Sequence, residues 1–307
     1  MASAPLRFGL VGTGHWAQIA HAPALSSTEG IELVAVWGRN PQAASALAAS
    51  YQAVAHENIE AFLAAVDGVA FAVPPDVQAP IAVAAARAGK HLMLEKPVAF
   101  SEAEADELAA AVAEAGVASA VFFILRFRAE LRAWLADITA SGGWEGGLAS
   151  WFGSSLLDSS PFNTPWRRDK GALWDLAPHV IALLWAALGP VTRVTADGGP
   201  GDVSHLILHH QGGTSSTVTV SQNGGEAAAG FEAYVWGGSG RSVAPPLARD
   251  PLPPLRTALT ELAANIRSGQ TGYPCDAGFG RDVGHVVAEA QRQIERRRLA
   301  ADAVQPG

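Results

Sequence analysis

The first 120 residues alternate between short apolar runs and alanine-rich helical stretches, and this alternation constrains the fold more than any other feature. Arg7–Val11, Glu32–Trp37, Gly68–Val73 and His91–Leu94 read as buried strands, and Ala118–Leu125 as one more. Trp16–Leu25, Pro41–Tyr51, Ile59–Ala65, Val77–Ala88 and Ser101–Ala115 read as helices, the last opening on the capping pattern S-E-A-E. Strands apolar on both faces, separated by helices, predict an α/β fold with a doubly wound parallel sheet.

Past residue 125 the texture changes. Val203–His210 and Ser215–Ser221 alternate in polarity around Gln211-Gly212-Gly213, which predicts a hairpin, and Gly230–Trp236 alternates likewise. A second domain with a mostly antiparallel sheet is expected, so the chain divides into residues 1–122 and 123–307. A helix is expected over Leu173–Leu188, a loop over Ala244–Pro254 and a final helix over Arg281–Leu299, with its folding back on the first domain left open.

Composition narrows the function classes. A chain of 307 residues that is 49% hydrophobic and 16% charged has material for two buried cores and is not intrinsically disordered. Its formal charge of −8 argues against an electrostatic grip on nucleic acid or anionic membranes. Cys275 is the only cysteine, so an intrachain disulfide and a thiolate metal cluster are excluded. No unbroken apolar run reaches the ~18 residues of a membrane span, and Met1–Pro5 does not read as a signal peptide; a cytoplasmic protein is expected.

The first strand runs into Gly12-Thr13-Gly14-His15-Trp16-Ala17. Gly12 supplies the tight turn, Gly14 lets backbone approach a pyrophosphate, and Ala17 lets the helix pack closely on the strand. The helix start offers free N–H groups and partial positive charge to the anion. A dinucleotide is therefore expected on residues 12–16, a turn that merely packs being the plainer alternative, and the indoles of Trp16 and Trp37 are read as packing. Gly38, Arg39 and Asn40 follow the second strand, where a carboxylate would accept the ribose 2′-hydroxyl of NAD. None is present. Asn40 can cap the next helix with Pro41 in its first turn, and Arg39 stands where the helix dipole disfavours a cation unless a 2′-phosphate is bound. NADP is expected over NAD; an ordinary solvated arginine is the alternative reading.

Gly89–Pro97 (G-K-H-L-M-L-E-K-P) ends a strand on the carboxyl edge of the sheet, and Asp175–His179 reads D-L-A-P-H. With the glycine turn, these motifs make the chain resemble the Gfo/Idh/MocA oxidoreductases along nearly its whole length. The resemblance implies a Rossmann domain, a C-terminal domain on an open sheet, and a homodimer or homotetramer formed through that sheet. It implies that Glu95 and Lys96 lie at the nicotinamide ribose and substrate, and that Trp166-Arg167 and Arg126 reach the cofactor. Val73, Pro74 and Gln78 fall at the family's cofactor-binding P-n-x-x-H element, and Asp175 and His179 match its D-x-G-x-H catalytic motif. Gln78 replaces a histidine, Pro75 a polar residue and Ala177 a glycine; Lys170 stands where a glycine cluster begins, and Ala182 replaces an acidic residue seen in many sugar dehydrogenases.

The chemistry expected is hydride transfer between nicotinamide and a small polar carbonyl or alcohol, such as a sugar or cyclic polyol. Lys96 and His179 are the proton carriers. Histidine changes charge near neutral pH without tuning, whereas lysine acts as a base only when burial or a neighbouring cation weakens its hold on the proton. Asp175 and His179, four apart, fall on one face if a single helix carries both, so Asp175 can orient the imidazole or bind a substrate hydroxyl. Pro178 then requires that helix to begin near Leu173–Asp175. Trp166, Arg167, Arg168 and Trp174 line a pocket or form a packed aromatic cluster. His209-His210 is no metal site, since neighbours on a strand point to opposite faces, and no other motif calls for a metal. Two alternatives stay open: an NAD-dependent glycoside hydrolase of the same family, and a non-catalytic NADP-binding regulator.

Overall fold

The computed structural model describes residues 4–302. The chain forms two compact units. The first comprises the described residues up to Phe127 together with Asp250–Asp282, and the second Arg128–Arg249 with the described residues from Val283.

In the first unit, β1 (Leu6–Val11), β2 (Ile31–Trp37), β3 (Val54–His56), β4 (Gly68–Phe71), β5 (His91–Leu94) and β6 (Ser119–Val121) form one parallel sheet in the order β3-β2-β1-β4-β5-β6. The order reverses between β1 and β4, which opens a crevice at the carboxyl ends of the strands, where α/β sheets bind ligands. The expected strands are present within a residue or two, with β3 added. The last is shorter than expected: after β6 the chain turns into a helical segment, Ile124–Phe127.

The caps are local and legible. Ser101 accepts from the Glu104 amide, and Asn40 accepts from the Ala43 amide at 3.0 Å, with Pro41 in the first turn. The His91 ring at the start of β5 accepts from the Ala118 amide at 3.0 Å through Nδ1, and burial holds its pKa below the usual histidine value, which disfavours the doubly protonated ring that could not accept.

A single cut at residue 122 does not describe the units, because Asp250–Asp282 returns to the first. Helix Leu252–Ser268 buries Leu255, Ala258, Leu259 and Leu262 and packs on helix Ala22–Ser27, while the Val121 amide donates to Cys275 O at 2.6 Å. Helix Leu252–Ser268 begins inside the stretch expected as loop, its early prolines sitting in a first turn where missing N–H groups cost nothing.

The second unit carries a six-stranded mixed sheet in the order β12-β11-β7-β10-β9-β8: β7 (Trp144–Phe152), β8 (Val191–Gly198), β9 (Ser204–His210), β10 (Ser215–Ser221), β11 (Gly230–Gly237) and β12 (Gly240–Val243). Only the β7–β10 pairing is parallel. Alternation sorts its faces: Ala149, Ala196, Leu206, Val218 and Ala233 are buried, whereas Ile207 and Val243 are exposed, in register with Thr217 and Tyr234 on the other face.

The helix expected over Leu173–Leu188 is two helices, Pro165–Asp175 and Ala177–Leu188. Gly171 breaks the first with φ of 62°, a left-handed value that favours glycine, and its backbone lies close to Asp202. The combined stretch Pro165–Leu188 is long and apolar enough to cross a bilayer, yet 78% of its apolar window is buried inside the protein.

Candidate active site

The glycine turn and the Glu95-Lys96-Pro97 segment share the carboxyl edge of the first sheet. Gly12 has φ of 125° and donates to Trp37 O at 2.8 Å; a Cβ there would lie 2.4 Å from Ala72 O, so no other residue fits. A Cβ at Gly14 would meet nothing within 4 Å, which leaves the open space a diphosphate needs beside the helix start. Ala17 is fully buried, as close packing of helix on strand requires. Gln18 closes the first helical turn on Gly14 O at 3.1 Å, and its amide holds Thr13 O at 3.0 Å. His15 is exposed and Trp16 half-buried. The residues present fit a dinucleotide.

Gly38 packs on Thr13, so closely that a Cβ would come within 2.8 Å of its methyl. Asn40 spends its side-chain oxygen on the helix cap, while Arg39 is exposed and pairs with nothing among the described residues. The second strand therefore ends with one uncommitted cation and no carboxylate at residues 38–40. Val73 and Pro74 are half-buried at the end of β4, and Pro74 O accepts the first amides of helix Pro75–Arg87.

Gln78 takes a different place from the one expected. It is fully buried; its amide nitrogen lies 2.8, 3.3 and 3.2 Å from the carbonyls of Glu95, Pro97 and Val98, and its oxygen accepts from the Glu95 amide at 2.8 Å. With its polar atoms committed to backbone, Gln78 holds the Glu95–Val98 turn, which contains the cis Lys96–Pro97 peptide, rather than a cofactor. Lys96 is only 8% exposed. Arg126 lies in the helical segment after β6, its guanidinium 5.9 Å from the Phe279 ring centroid.

Glu95 is tied to the glycine turn. Its Oε1 accepts from the Trp16 indole at 2.6 Å and from His21 Nε2 at 2.8 Å. Trp16 is thus more than packing. His21 was not legible as a site residue, since nothing in sequence joins it to a glutamate 74 residues away.

The second unit gathers Arg167, Asp175 and Gln222. Arg167 Nε donates to Asp175 Oδ2 at 2.9 Å, and its guanidinium lies 4.5 Å from the Trp166 ring and 5.6 Å from Phe162. The side chain expected at the cofactor is therefore engaged by Asp175. Gln222, fully buried, also donates its amide to Asp175 Oδ2. Asp202 fixes the Gln222 backbone, accepting from the amides of Gln222 at 2.8 Å and Ala172 at 3.1 Å and from the Ser221 hydroxyl at 2.7 Å. Neither Gln222 nor Asp202 stands in a motif that sequence spacing could expose.

Asp175 closes one helix and His179 lies in the first turn of the next, so they do not share a helix face as expected; Leu176 separates the two, with Pro178 in the opening turn. His179 is 7% exposed with its ring centroid 5.6 Å from that of Trp151. Trp174, read either as pocket lining or as part of a packed cluster, is buried at 3% exposure and donates to Gln291, whereas Arg168 is exposed and bonds Asn163.

Residues 6–123 match the model of the oxidoreductase family with an NAD-binding Rossmann fold, and residues 147–242 the GFO/IDH/MocA C-terminal domain. The chain is 28% identical to the uncharacterized oxidoreductase YdgJ of Escherichia coli over 67% of its length and 62% of that protein's. It is 35% identical to the levoglucosan dehydrogenase of Pseudarthrobacter phenanthrenivorans over 42% of its length and 34% of that protein's. These matches span less than two thirds of either relative. The fold is similar to that of a myo-inositol dehydrogenase from Corynebacterium glutamicum, with a TM-score of 0.81, 16% identity, and 95% and 97% of the two chains covered.

Proposed function

The chain belongs to the Gfo/Idh/MocA oxidoreductase family, and from that premise we propose that it is an NADP-preferring dehydrogenase acting on a CH–OH group of a sugar or cyclic polyol. The observation that carries this reading is the joined edge of the first unit: open space beside Gly14, where a Cβ would meet nothing within 4 Å, linked through Trp16 to the segment that bears Lys96. The names of similar proteins, levoglucosan dehydrogenase and inositol 2-dehydrogenase among them, support the substrate class. Arg39, without a partner among the described residues and with no carboxylate beside it at 38 or 40, supports NADP.

The bound nicotinamide supplies hydride acceptance and donation. The protein's part is placement and proton transfer. In oxidation the substrate hydroxyl gives its proton to Lys96 Nζ or the His179 ring; in reduction the same group returns it to the nascent alkoxide. Asp175, held through Oδ2 by Arg167 and Gln222, presents a fixed carboxylate for a substrate hydroxyl or the imidazole. A cytoplasmic location goes with this reading.

The test is direct. Purified protein incubated with NADP and a panel of sugars and inositols should generate absorbance at about 340 nm with at least one of them, the signature of the reduced nicotinamide. Cleavage of a glycoside with no net change in nicotinamide redox state would instead favour the hydrolase reading.

A further inference from the structure

His21 is fully buried in the helix that follows the glycine turn, an expensive place for a polar ring unless its nitrogens are used. Nε2 lies 2.8 Å from Glu95 Oε1, whereas Nδ1 meets no hydrogen-bond partner. Nε2 therefore carries the proton that is donated to the carboxylate; a ring with its only proton on Nδ1 would bury that proton unpaired. The Trp16 indole N–H donates to the same oxygen at 2.6 Å, and its ring meets the imidazole edge-on at 6.4 Å between centroids. The backbone of Glu95 is held separately, through its N–H and C=O, by Gln78. Main chain and Oε1 are both fixed. Oε2 is left without a partner among the described residues, on a side chain that retains 12% of its exposure.

We propose that Trp16 and His21 are positioning residues that clamp Oε1 of Glu95 so that Oε2 is presented as a fixed hydrogen-bond acceptor to the nicotinamide-riboside half of the cofactor. This rests on the reading that a dinucleotide occupies the glycine turn. Two N–H donors on one oxygen remove the carboxylate's rotational freedom before the ligand arrives, so that ordering cost does not fall on binding. The ligand groups that satisfy Oε2 are donors, a ribose hydroxyl or a carboxamide N–H. The adenosine half has no part in this contact.

Calorimetric titration with two probes separates the halves: NADPH, and 2′,5′-ADP, which lacks the nicotinamide riboside. Trp16→Phe deletes one N–H and keeps a ring; His21→Leu deletes the other. Each should weaken NADPH by about tenfold, the scale of one hydrogen bond to a charged group, and leave 2′,5′-ADP unchanged. His21→Gln, whose amide N–H can stand in for Nε2–H, should recover most of the NADPH affinity. Should His21→Leu fail to fold, Trp16→Phe decides alone, because the indole is only half-buried. Equal weakening of both probes would mean a merely structural role and would overturn the clamp, as would NADPH affinity unmoved in both variants. Failure of the wild type to bind NADPH, NADH and 2′,5′-ADP alike would overturn the dinucleotide reading itself, and the clamp with it.

Discussion

Replacing Lys96 or His179 by alanine is expected to lower turnover at least about a hundredfold each, the usual scale for loss of an acid–base group. Both side chains are nearly buried, at 8% and 7% exposure, and burying a chargeable group costs stability unless it serves something. Each lies beside a polar scaffold. Lys96 follows Glu95, whose main chain Gln78 holds, and His179 opens the helix after Asp175, whose carboxylate Arg167 and Gln222 hold. A purely structural lysine or histidine would show its loss in the unfolding midpoint and not selectively in kcat. The check is steady-state kinetics on whichever panel substrate responds, with the midpoint of each variant measured alongside. The His179 variant should retain wild-type NADPH affinity, which isolates the chemical step. Near-wild-type turnover in both variants would remove proton transfer from these residues.

Gln78→Leu should cost about 3–5 kcal/mol, because several buried backbone groups lose their partner at roughly 1–3 kcal/mol each. Leucine nearly matches glutamine in volume, so the loss is not a cavity effect. The Glu95 amide loses its acceptor, and the Glu95, Pro97 and Val98 carbonyls lose their shared donor. For a unit of this size that corresponds to roughly a 10 °C fall in the midpoint of its thermal unfolding. Turnover should fall as well, since the same turn carries Lys96. Gln78→His should cost less, because imidazole keeps one donor and one acceptor. Calorimetry of the three proteins checks this; an unchanged midpoint in Gln78→Leu would show the turn to be self-supporting.

Much of the fold was legible because its signals are local. Strands β1, β2, β4 and β5 are apolar on both faces and are punctuated by glycine turns and by caps at Asn40 and Ser101, so neighbours in sequence suffice to find them. The Gln211–Gly213 hairpin was legible for the same reason. Helix Leu252–Ser268 was not: its opening prolines read as loop, and its apolar stripe is buried against the helix Ala22–Ser27 and other elements of the first unit, all far away in sequence. The break at Gly171 depends on Asp202, likewise out of local reach.

The site divides along the same line. Gly12, Gly14, Glu95, Lys96, Asp175 and His179 stand in motifs whose spacing carries meaning. The residues that hold them do not. His21 reaches Glu95 across 74 positions, Gln222 reaches Asp175 across 47, and Gln78 looked like a departure from a pattern when it is the support of the turn. Arg167 shows the converse: its neighbour Trp166 and its resemblance pointed to the cofactor, but a carboxylate eight residues on engages it.

The measurement that tests the central reading most directly is a titration of the purified protein, freed of retained nucleotide, with NADPH and with NADH, read by energy transfer from tryptophan to nicotinamide. NADPH is predicted to bind more tightly. Arg39→Ala is predicted to weaken NADPH by at least about tenfold, the loss of a charge-assisted contact to a 2′-phosphate, while NADH affinity stays put. Tighter NADH binding, or an Arg39 variant that loses both nucleotides alike, would contradict the assignment of NADP. Binding of neither would contradict the dinucleotide site at the glycine turn.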